Sequence, residues 1–469
     1  MDTLLTTETE VRTLAYLLES AERPKLNQLP QQSHFIALDT ERAGAYRYDD
    51  RAFVLQLHHP AVGSVLIDAE AFAHTEVSHP ETSHAESTNT QITRTYPGLK
   101  TLWDSIADLP WVLHDATTDL PALTALGAHP TQVFDTRIAA QLASFPQNNL
   151  RYLVEKLVGV TLHKTHGRED WSIRPLPEDW VQYAIDNVRF LGQLAANLQD
   201  ILAEQDRLNW FWQECDHLLQ QFTTTSMPLI NEDWRNIKGA GRIKNPRSQA
   251  VATALFEHRN SVAARFDISP TSVLPHHTIL DLAAKPPTTA RFTSVIVRGA
   301  AKRLPQDIQQ TVAEREKSRG FRLPSPRSWH QVISQALEEY DQRQQSSHNS
   351  DANDVPVKSP SKTPTKYLHP RHQGAVESQT EQLITALHTV AEYFQLDPAS
   401  LATTKVLREL AWLIVENQES EVRKPCRHIT TGQIHAWLRD LGLRPWQAEV
   451  LASNFYFAVS YPATGSDPA

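Results

Sequence analysis

The chain has 469 residues, and at this length we expect roughly two to four folded domains. Hydrophobic residues make up 40% and charged residues 21%, the proportions of a soluble globular protein, and no apolar run approaches the roughly 18 residues needed to cross a membrane. The net charge of -9 argues weakly against a general polyanion binder.

Two sequence features indicate the cellular compartment. The N-terminus carries neither a basic region nor a long apolar stretch, so we expect no secretory signal. The two cysteines, Cys215 and Cys426, lie far apart, which argues against a disulfide framework or a cysteine zinc site. A cytoplasmic location is therefore expected.

The first third of the chain has the pattern of an α/β fold. Three short apolar segments rich in β-forming residues, at 35–38, 53–57 and 64–67, are spaced as an antiparallel meander and predict one sheet. Two further strands are predicted at 111–114 and 133–134.

Each of these two later strands precedes a predicted helix. The first helix should begin near Thr117, with Thr117 or Thr118 as its cap and Asp119 in its first turn. The second helix should span residues 136–143.

A polar segment separates the two groups of strands. Residues 75–95 are rich in Ser, Thr, Glu and His, which predicts a surface insertion. Because His74, His79 and His84 lack the spacing of helical metal ligands, a solvated loop is favoured over a metal site.

From residue 148 onward, apolar residues recur at helical spacing. One long amphipathic helix is predicted over 178–198, and several short helices over 233–317, where Ser269-Pro270 and Pro286-Pro287 interrupt the pattern.

These patterns predict the organisation of the whole chain. An α/β unit should span 1–215 and a helical unit 230–318. Residues 341–366 contain almost no large apolar residue and predict a disordered linker before a last helical unit at 367–460.

Asp39 and Glu41 lie at the end of the first predicted strand. Residues two apart in a strand point to the same side, so these carboxylates should converge and suit a hard divalent cation. Because Asp-x-Glu is a common tripeptide, the pair alone does not indicate a metal site. Asp119 offers a third carboxylate, although interaction with the helix dipole also explains its position.

Tyr183, Asp186 and Asn187 lie on one predicted helix. Tyr183 and Asn187 share a face, and Asp186 lies close to it. A tyrosine and a carboxylate on one helical face can position a water molecule beside a metal. The alternative is that Tyr183 is a half-buried core residue.

Basic residues concentrate between positions 234 and 265, where seven of them accompany a single acid, Glu257. The surplus predicts either a nucleic-acid-binding surface or a solvated helix face, and charge alone favours the second. The candidate nucleic-acid contacts are Arg235, Lys238, Arg242, Lys244 and Arg247. Nearby, Trp210-Phe211-Trp212 could stack on RNA, but packing at a domain junction is favoured.

The order and spacing of several blocks resemble the ribonuclease D family over nearly all of the first 215 residues. The blocks are 35–42, 111–126, Phe134-Asp135-Thr136, Asp170-Trp171-Ser172-Ile173-Arg174-Pro175-Leu176, which is highly specific, and 183–188. Further on, a segment resembles an HRDC domain through Trp234-Arg235-Asn236-Ile237-Lys238-Gly239, Val273-Leu274-Pro275 and Leu282. The stretch Leu443-Arg444-Pro445-Trp446-Gln447 resembles the second C-terminal helical domain of actinobacterial-type relatives.

The resemblance implies an α/β, ribonuclease H-like exonuclease domain of the DEDD class followed by two all-α, HRDC-type domains. It implies a 3′ to 5′ exoribonuclease that trims structured RNA such as tRNA precursors with two divalent cations, Mg²⁺ or Mn²⁺. Asp39, Glu41 and Asp119 are the implied metal ligands, and Tyr183 would orient the nucleophilic water.

One position departs from the family pattern. The family has its fourth carboxylate four residues after the tyrosine, where this chain has Asn187, with Asp186 one residue earlier. Asparagine offers only a neutral oxygen, so metal affinity should fall unless Asp186 serves as the ligand. A second hypothesis is therefore a nucleic-acid-binding protein whose nuclease site is weakened or inactive. A third, an unrelated function on the same fold, is disfavoured by the retained carboxylates.

Overall fold

A mixed six-stranded sheet lies at the centre of the N-terminal unit. The computed structural model describes residues 4–21, 23, 31–78, 91–162, 166–224, 233–349, 373–423 and 429–460. The strands are β1 (Leu4–Leu5), β2 (Ile36–Arg42), β3 (Ala52–His59), β4 (Gly63–Asp68), β5 (His74–Ser78), β6 (Gln91–Thr95), β7 (Trp111–Leu113) and β8 (Val133–Asp135). Among the described strands, the large sheet has the order β1-β4-β3-β2-β7-β8.

The predicted meander and the two later strands are confirmed. β2 pairs antiparallel with β3, and β3 with β4, whereas β2, β7 and β8 run parallel. The sheet is buried on both faces because helices cover it on both sides. Ala37 packs into one hydrophobic cluster, while Ile36 and Leu38 pack into another on the opposite face.

Eight helices accompany this sheet in the described part of the N-terminal unit. They are α1 (Glu8–Glu19), α2 (Lys100–Ile106), α3 (Ala116–Ala125), α4 (Thr136–Leu142), α5 (Leu150–Leu157), α6 (Glu178–Arg189), α7 (Leu191–Glu204) and α8 (Leu208–Thr224). The single long helix expected over 178–198 is wrong, because the chain turns at Phe190. This turn lets α6 pack on β2, β3 and β4 while α7 packs on α4 and α5.

The cap of α3 also differs from the expectation. The N-cap is Asp115, and neither Thr117 nor Thr118 caps the helix. The Asp135 carboxylate, from the neighbouring strand, accepts hydrogen bonds from the backbone N–H groups of Asp115 at 3.1 Å and Ala116 at 2.8 Å. A long-range partner therefore satisfies donors that a local threonine was expected to satisfy.

The polar insertion contains regular structure at both ends. β5 and β6 pair antiparallel, with His74 opposite Thr95 and Ser78 opposite Gln91. The interpretation of the whole segment as a loop is therefore wrong at its ends. His79 and His84 lie outside the described residues.

The middle unit is helical, as expected, with shorter helices between its long first and last helices. They are α9 (Pro246–Phe266), α10 (Pro270–Val273), α11 (His276–Ala284), α12 (Ala290–Ala301), α13 (Gln306–Arg319) and α14 (Pro326–Asn349). Breaks occur at Ser269-Pro270 and Pro286-Pro287, where proline interrupts the helical pattern.

Helix α14 extends into the segment expected to be a disordered linker. Its first half is anchored by Trp329 and Ile333, which are buried against α9. Its second half continues to Asn349, with hydrogen bonds of Gln335 and Arg343 to Glu339 one helical turn away. The linker expectation is therefore wrong for residues 341–349, and residues 350–366 lie outside the described part.

A buried ion-pair network joins the middle unit to the sheet. Asp267, after α9, accepts hydrogen bonds from Arg47 at 3.0 Å and Arg51 at 3.1 Å. Burial alone would raise the pKa of Asp267, but the hydrogen bonds and charge of Arg51 and Arg47 outweigh it and hold the pKa below its usual range. Arg315 on α13 adds a hydrogen bond to the Tyr46 carbonyl at 2.7 Å.

The last helices also pack on the N-terminal unit. They are α15 (Gln373–Phe394), α16 (Pro398–Leu401), α17 (Thr404–Arg423), α18 (Thr431–Asp440) and α19 (Pro445–Ser460). Trp446 stacks on Trp210 with ring centroids 4.8 Å apart, and its indole N–H donates to Glu214 at 2.7 Å. The Trp210-Phe211-Trp212 cluster thus contributes to packing, as expected. None of the helices in the described ranges is long and apolar enough to span a bilayer.

Candidate active site

Three carboxylates gather at one end of the central strand β2. Asp39 and Glu41 are two residues apart in β2, and Asp119 lies in the first turn of α3. Glu41 is 6% exposed and Asp119 is 3% exposed. Thr40 links the two elements, because its hydroxyl donates a hydrogen bond to Asp119 Oδ1 at 2.6 Å.

These carboxylates repel one another in a buried environment. Burial and the charge of Asp119 raise the pKa of Asp39 well above its usual value. Burial and the charges of Asp39 and Asp119 do the same for the pKa of Glu41. Burial raises the pKa of Asp119 to about 6. A cation at this position would relieve the repulsion, which is why crowded carboxylates mark candidate metal sites.

Helix α6 supplies the opposite wall of a cleft over the carboxylates. The cleft has a volume of about 440 Å³, and Asp39, Tyr183, Asp186 and Asn187 all line it. Tyr183 is half-buried, and burial together with the charge of Glu41 raises its pKa, so the phenol stays protonated at neutral pH. The two alternatives for Tyr183 therefore coexist, since the residue packs in the fold and faces the cleft.

Asn187 contacts the carboxylates directly. Its side-chain N–H donates to Glu41 Oε1 at 3.2 Å, and the amide N–H of Gln56 donates to the same oxygen at 3.1 Å. Asp186 also lines the cleft, but its carboxylate accepts a hydrogen bond from Gln182 at 2.9 Å. Asp186 and Asn187, the two candidates for the fourth ligand position, thus line the same cleft.

The donor set suits a hard divalent cation. The available oxygens are carboxylates, which Mg²⁺ and Mn²⁺ prefer, and their mutual repulsion favours a bound cation. In this structure neutral donors hold the carboxylates: Thr40 on Asp119, and Gln56 and Asn187 on Glu41. No three acidic, histidine or cysteine side chains within the described ranges converge closely enough to enclose a metal ion.

Several cleft residues were not predicted from the sequence. His114, Asn149 and Arg151 line the cleft. The His114 Nδ1 lies 2.9 Å from the Thr136 hydroxyl, and burial lowers the pKa of His114 to about 4, so the imidazole is neutral at neutral pH. The only sequence signal for His114 was its position at the end of a predicted strand, and Arg151 carried no signal at all.

The Asp-Trp-Ser-Ile-Arg-Pro-Leu stretch, residues 170–176, holds the start of helix α6 in position. Trp171 is fully buried, and Arg174 forms two hydrogen bonds to the Asp68 carboxylate, both at 2.7 Å. Arg174 also donates to the carbonyl of Phe53 at 3.0 Å. The stretch therefore fixes the start of α6 against β3 and β4.

The predicted nucleic-acid contacts lie on the middle unit and are largely paired with acids. Arg235 pairs with Asp233 at 3.1 Å, Arg242 with Asp281 at 2.7 Å and Arg247 with Asp341 at 3.0 Å. Lys238 and Lys244 are exposed, and neither forms an ion pair with a described acid. Three of the five positive charges are thus neutralised locally.

Comparison with known proteins shows which families this architecture resembles. A family model described as a 3′-5′ exonuclease matches residues 6–203, and a model of the HRDC domain matches residues 248–302. Ribonuclease D of Shewanella sp. is 32% identical over 197 residues, covering 41% of this chain and 50% of the relative. Ribonuclease D of Bartonella henselae is 30% identical over 178 residues, covering 38% and 43%. The chain is therefore similar to ribonuclease D over its N-terminal exonuclease domain.

Solved structures show the same fold over the full length of the chain. A protein from Bifidobacterium adolescentis matches with a TM-score of 0.70 and 24% identity, covering 98% of this chain and 97% of that one. Ribonuclease D of Escherichia coli, an exoribonuclease involved in structured RNA processing, matches with a TM-score of 0.57 and 18% identity, covering 98% and 99%.

The two family models confirm the predicted fold class, with an α/β exonuclease domain followed by helical domains that include an HRDC domain. The matches to the curated ribonuclease D sequences quoted above span half of those relatives or less. From this point the middle unit is called the HRDC domain.

Proposed function

We propose that this protein is a 3′ to 5′ exoribonuclease whose active site is the cleft between β2 and α6. The observation that carries the proposal is the meeting of Asp39, Tyr183 and Asn187 in one cleft, beside the buried Glu41 and Asp119. Structured RNA with a single-stranded 3′ end, such as a tRNA precursor, is the proposed substrate.

The carboxylates are the proposed metal-binding groups. Two divalent cations, Mg²⁺ or Mn²⁺, held by Asp39, Glu41, Asp119 and Asp186, would supply an activated water and stabilise the leaving 3′ oxygen. The raised pKa values of Asp39 and Glu41 mean that these groups ionise less readily in the absence of a cation. Metal binding should therefore release protons and strengthen as the pH rises.

Tyr183 is the proposed positioning group for water. Its raised pKa keeps the phenol O–H intact at neutral pH, so it can donate a hydrogen bond to a water molecule in the cleft. Tyr183 and Asp39 line the same cleft, which supports a role in which the water would lie between the phenol and the carboxylate.

A second function follows from Asn187. Its amide donates a hydrogen bond to Glu41, a role that a carboxylate in the same place cannot perform. The contact occupies one oxygen of Glu41, and asparagine in place of a carboxylate leaves the site with one negative charge fewer. The alternative is therefore a nucleic-acid-binding protein with a weakened or inactive nuclease site.

The proposed function is tested by the direction and the metal dependence of RNA shortening. Single-stranded RNA labelled at the 5′ end should shorten stepwise with Mg²⁺ or Mn²⁺, and RNA labelled at the 3′ end should release labelled mononucleotide first. Asp39→Ala should abolish both, whereas the exposed Asp281→Ala should not. Binding of RNA without shortening under all metal conditions would establish the alternative.

A further inference from the structure

Helix α12 of the HRDC domain lies in a segment with only positive charges. Residues 282–306 contain no acid, although the chain as a whole has a net charge of -9. The five basic residues of the segment are Lys285, Arg291, Arg298, Lys302 and Arg303. Such a local surplus in an acidic protein indicates a surface directed at a polyanion.

The basic residues of α12 share one exposed face. Thr293, Val297 and Ala300 are buried on the opposite face. At 100 degrees per residue, the exposed side of the helix and its C-terminal cap form one continuous surface. We call this surface the α12 basic face, and it consists of Arg291, Phe292, Val295, Arg298, Lys302 and Arg303.

Two large apolar side chains lie among these charges. Phe292 is 63% exposed and Val295 is 67% exposed, which is unusual for large apolar residues on a packed helix. An exposed ring beside cations is the arrangement that single-stranded nucleic acid recognises, since the ring stacks on a base while the cations contact phosphates.

The positive charges of the α12 basic face are not used inside the protein. None of its basic residues forms an ion pair with a described acid. This distinguishes the face from the arginines predicted as RNA contacts, since Arg235, Arg242 and Arg247 are each paired with an aspartate. Unpaired cations release counterions on binding a polyanion, whereas paired ones must first lose a partner.

We propose that the α12 basic face binds the single-stranded RNA backbone. The proposal rests on the proposed function, in which RNA is the substrate, and it adds the surface that holds the RNA outside the cleft. A protein partner fits the face less well, because charges are depleted at the centre of protein interfaces and here they run across the whole face.

The test measures equilibrium binding of the full-length protein to a fluorescein-labelled single-stranded RNA in EDTA, at several salt concentrations. The test variant is R291Q/R298Q/K302Q, and the matched control is R235Q/R242Q/R247Q, which removes the same number of charges. Each phosphate contact on a single strand contributes about 0.7 to the salt slope, so the test variant should lose about 2 in slope and roughly 100-fold in affinity at 0.1 M salt. The control should lose less than about 1 in slope.

A second variant separates stacking from charge. Phe292→Ala should weaken binding by about tenfold and leave the salt slope unchanged, because a phenyl ring carries no charge. Phe457→Ala, which removes another exposed ring, should leave binding unchanged.

The proposal is overturned if the test variant keeps the wild-type salt slope, if the control variant loses as much as the test variant, or if the wild-type protein does not bind the RNA. Because the assay contains no divalent metal, its outcome is independent of hydrolysis. A protein that binds through the α12 basic face but never shortens RNA would support this proposal and refute the exonuclease.

Discussion

Asn187 and Glu41 form a direct hydrogen bond across the cleft, from the amide N–H to Oε1 at 3.2 Å. The contact joins α6 to β2 at the place where the ribonuclease D resemblance requires a carboxylate. The neutral amide of Asn187 can stabilise the Glu41 carboxylate without a cation. An ionised acid at position 187 could do so only by binding a shared cation. The identity of residue 187 therefore decides how strongly the cleft depends on metal.

The first prediction concerns metal affinity. Asn187→Asp should tighten Mn²⁺ binding by roughly 10- to 100-fold, because it adds a charged ligand and removes the competing hydrogen bond to Glu41. Isothermal titration in the absence of RNA measures this directly. Asn209→Asp, on the exposed surface of α8, makes the same charge change away from the cleft and should have no effect. Equal Mn²⁺ affinity in all three proteins would show that residue 187 is not a ligand position.

The second prediction concerns pH and stability without metal. The pKa of Asp119 is raised from 3.8 to about 6, so its contribution to stability is complete below about pH 4 and is lost as the pH rises through 6. Asp119→Asn removes this titration, and Thr40 can still donate to the new side-chain oxygen. In EDTA the variant should match wild type at pH 4 and exceed it by on the order of 3 kcal/mol above pH 7.

Denaturant unfolding at pH 4, 6 and 8 measures this difference. Adding Mg²⁺ at pH 8 should stabilise wild type more than Asp119→Asn, because only wild type has the third carboxylate. A constant difference between the two proteins from pH 4 to pH 8 would contradict the raised pKa.

The third prediction concerns the attachment of the HRDC domain. Asp267→Asn should destabilise the protein by about 3 kcal/mol, because Arg51 is only 4% exposed at its side chain and loses a charge partner. Since the pKa of Asp267 is lowered in the folded protein, the loss should be complete above about pH 4, become smaller below it, and vanish only as the pH falls through the lowered pKa.

Thermal unfolding of Asp267→Asn at pH 7 and pH 3 tests this prediction. The control is Asp281→Asn, whose ion pair with Arg242 is about half exposed and should contribute below about 1 kcal/mol. If the two variants lose the same stability at pH 7, the buried network does not hold the HRDC domain in place.

The fourth prediction concerns the C-terminal helices. Glu214 accepts hydrogen bonds from Arg444 and Trp446, both at 2.7 Å, so Glu214→Ala leaves two donors without an acceptor at the contact with α19. We expect faster hydrogen exchange in α19 and no change in the sheet. Glu449→Ala, on the exposed face of α19, is the matched control. Unchanged exchange of α19 in Glu214→Ala would mean that the tryptophan stacking alone secures the contact.

The sequence predicted the site where local geometry determines it. Asp39 and Glu41 follow from the alternation of side chains in a strand, and the shared face of Tyr183 and Asn187 follows from the helical period. Gln56, His114 and Arg151 lie in or beside the cleft only because distant elements meet there. No period or spacing in the sequence carries that information.

The errors in the fold have the same origin. The turn at Phe190 has no proline to mark it, and it exists because α6 and α7 pack on different partners. Helix α14 continues past residue 341 because Trp329 and Ile333 anchor its first half in the HRDC core. In both places tertiary packing outweighs the local composition.

The most direct test of the central claim compares the rate of 3′-end shortening of one single-stranded RNA by wild type, Asn187→Asp and Asp39→Ala at saturating Mn²⁺. The account predicts stepwise shortening by wild type, a higher rate for Asn187→Asp and none for Asp39→Ala. An exonuclease site in this cleft is contradicted if wild type and Asn187→Asp are both as inactive as Asp39→Ala while all three proteins are folded.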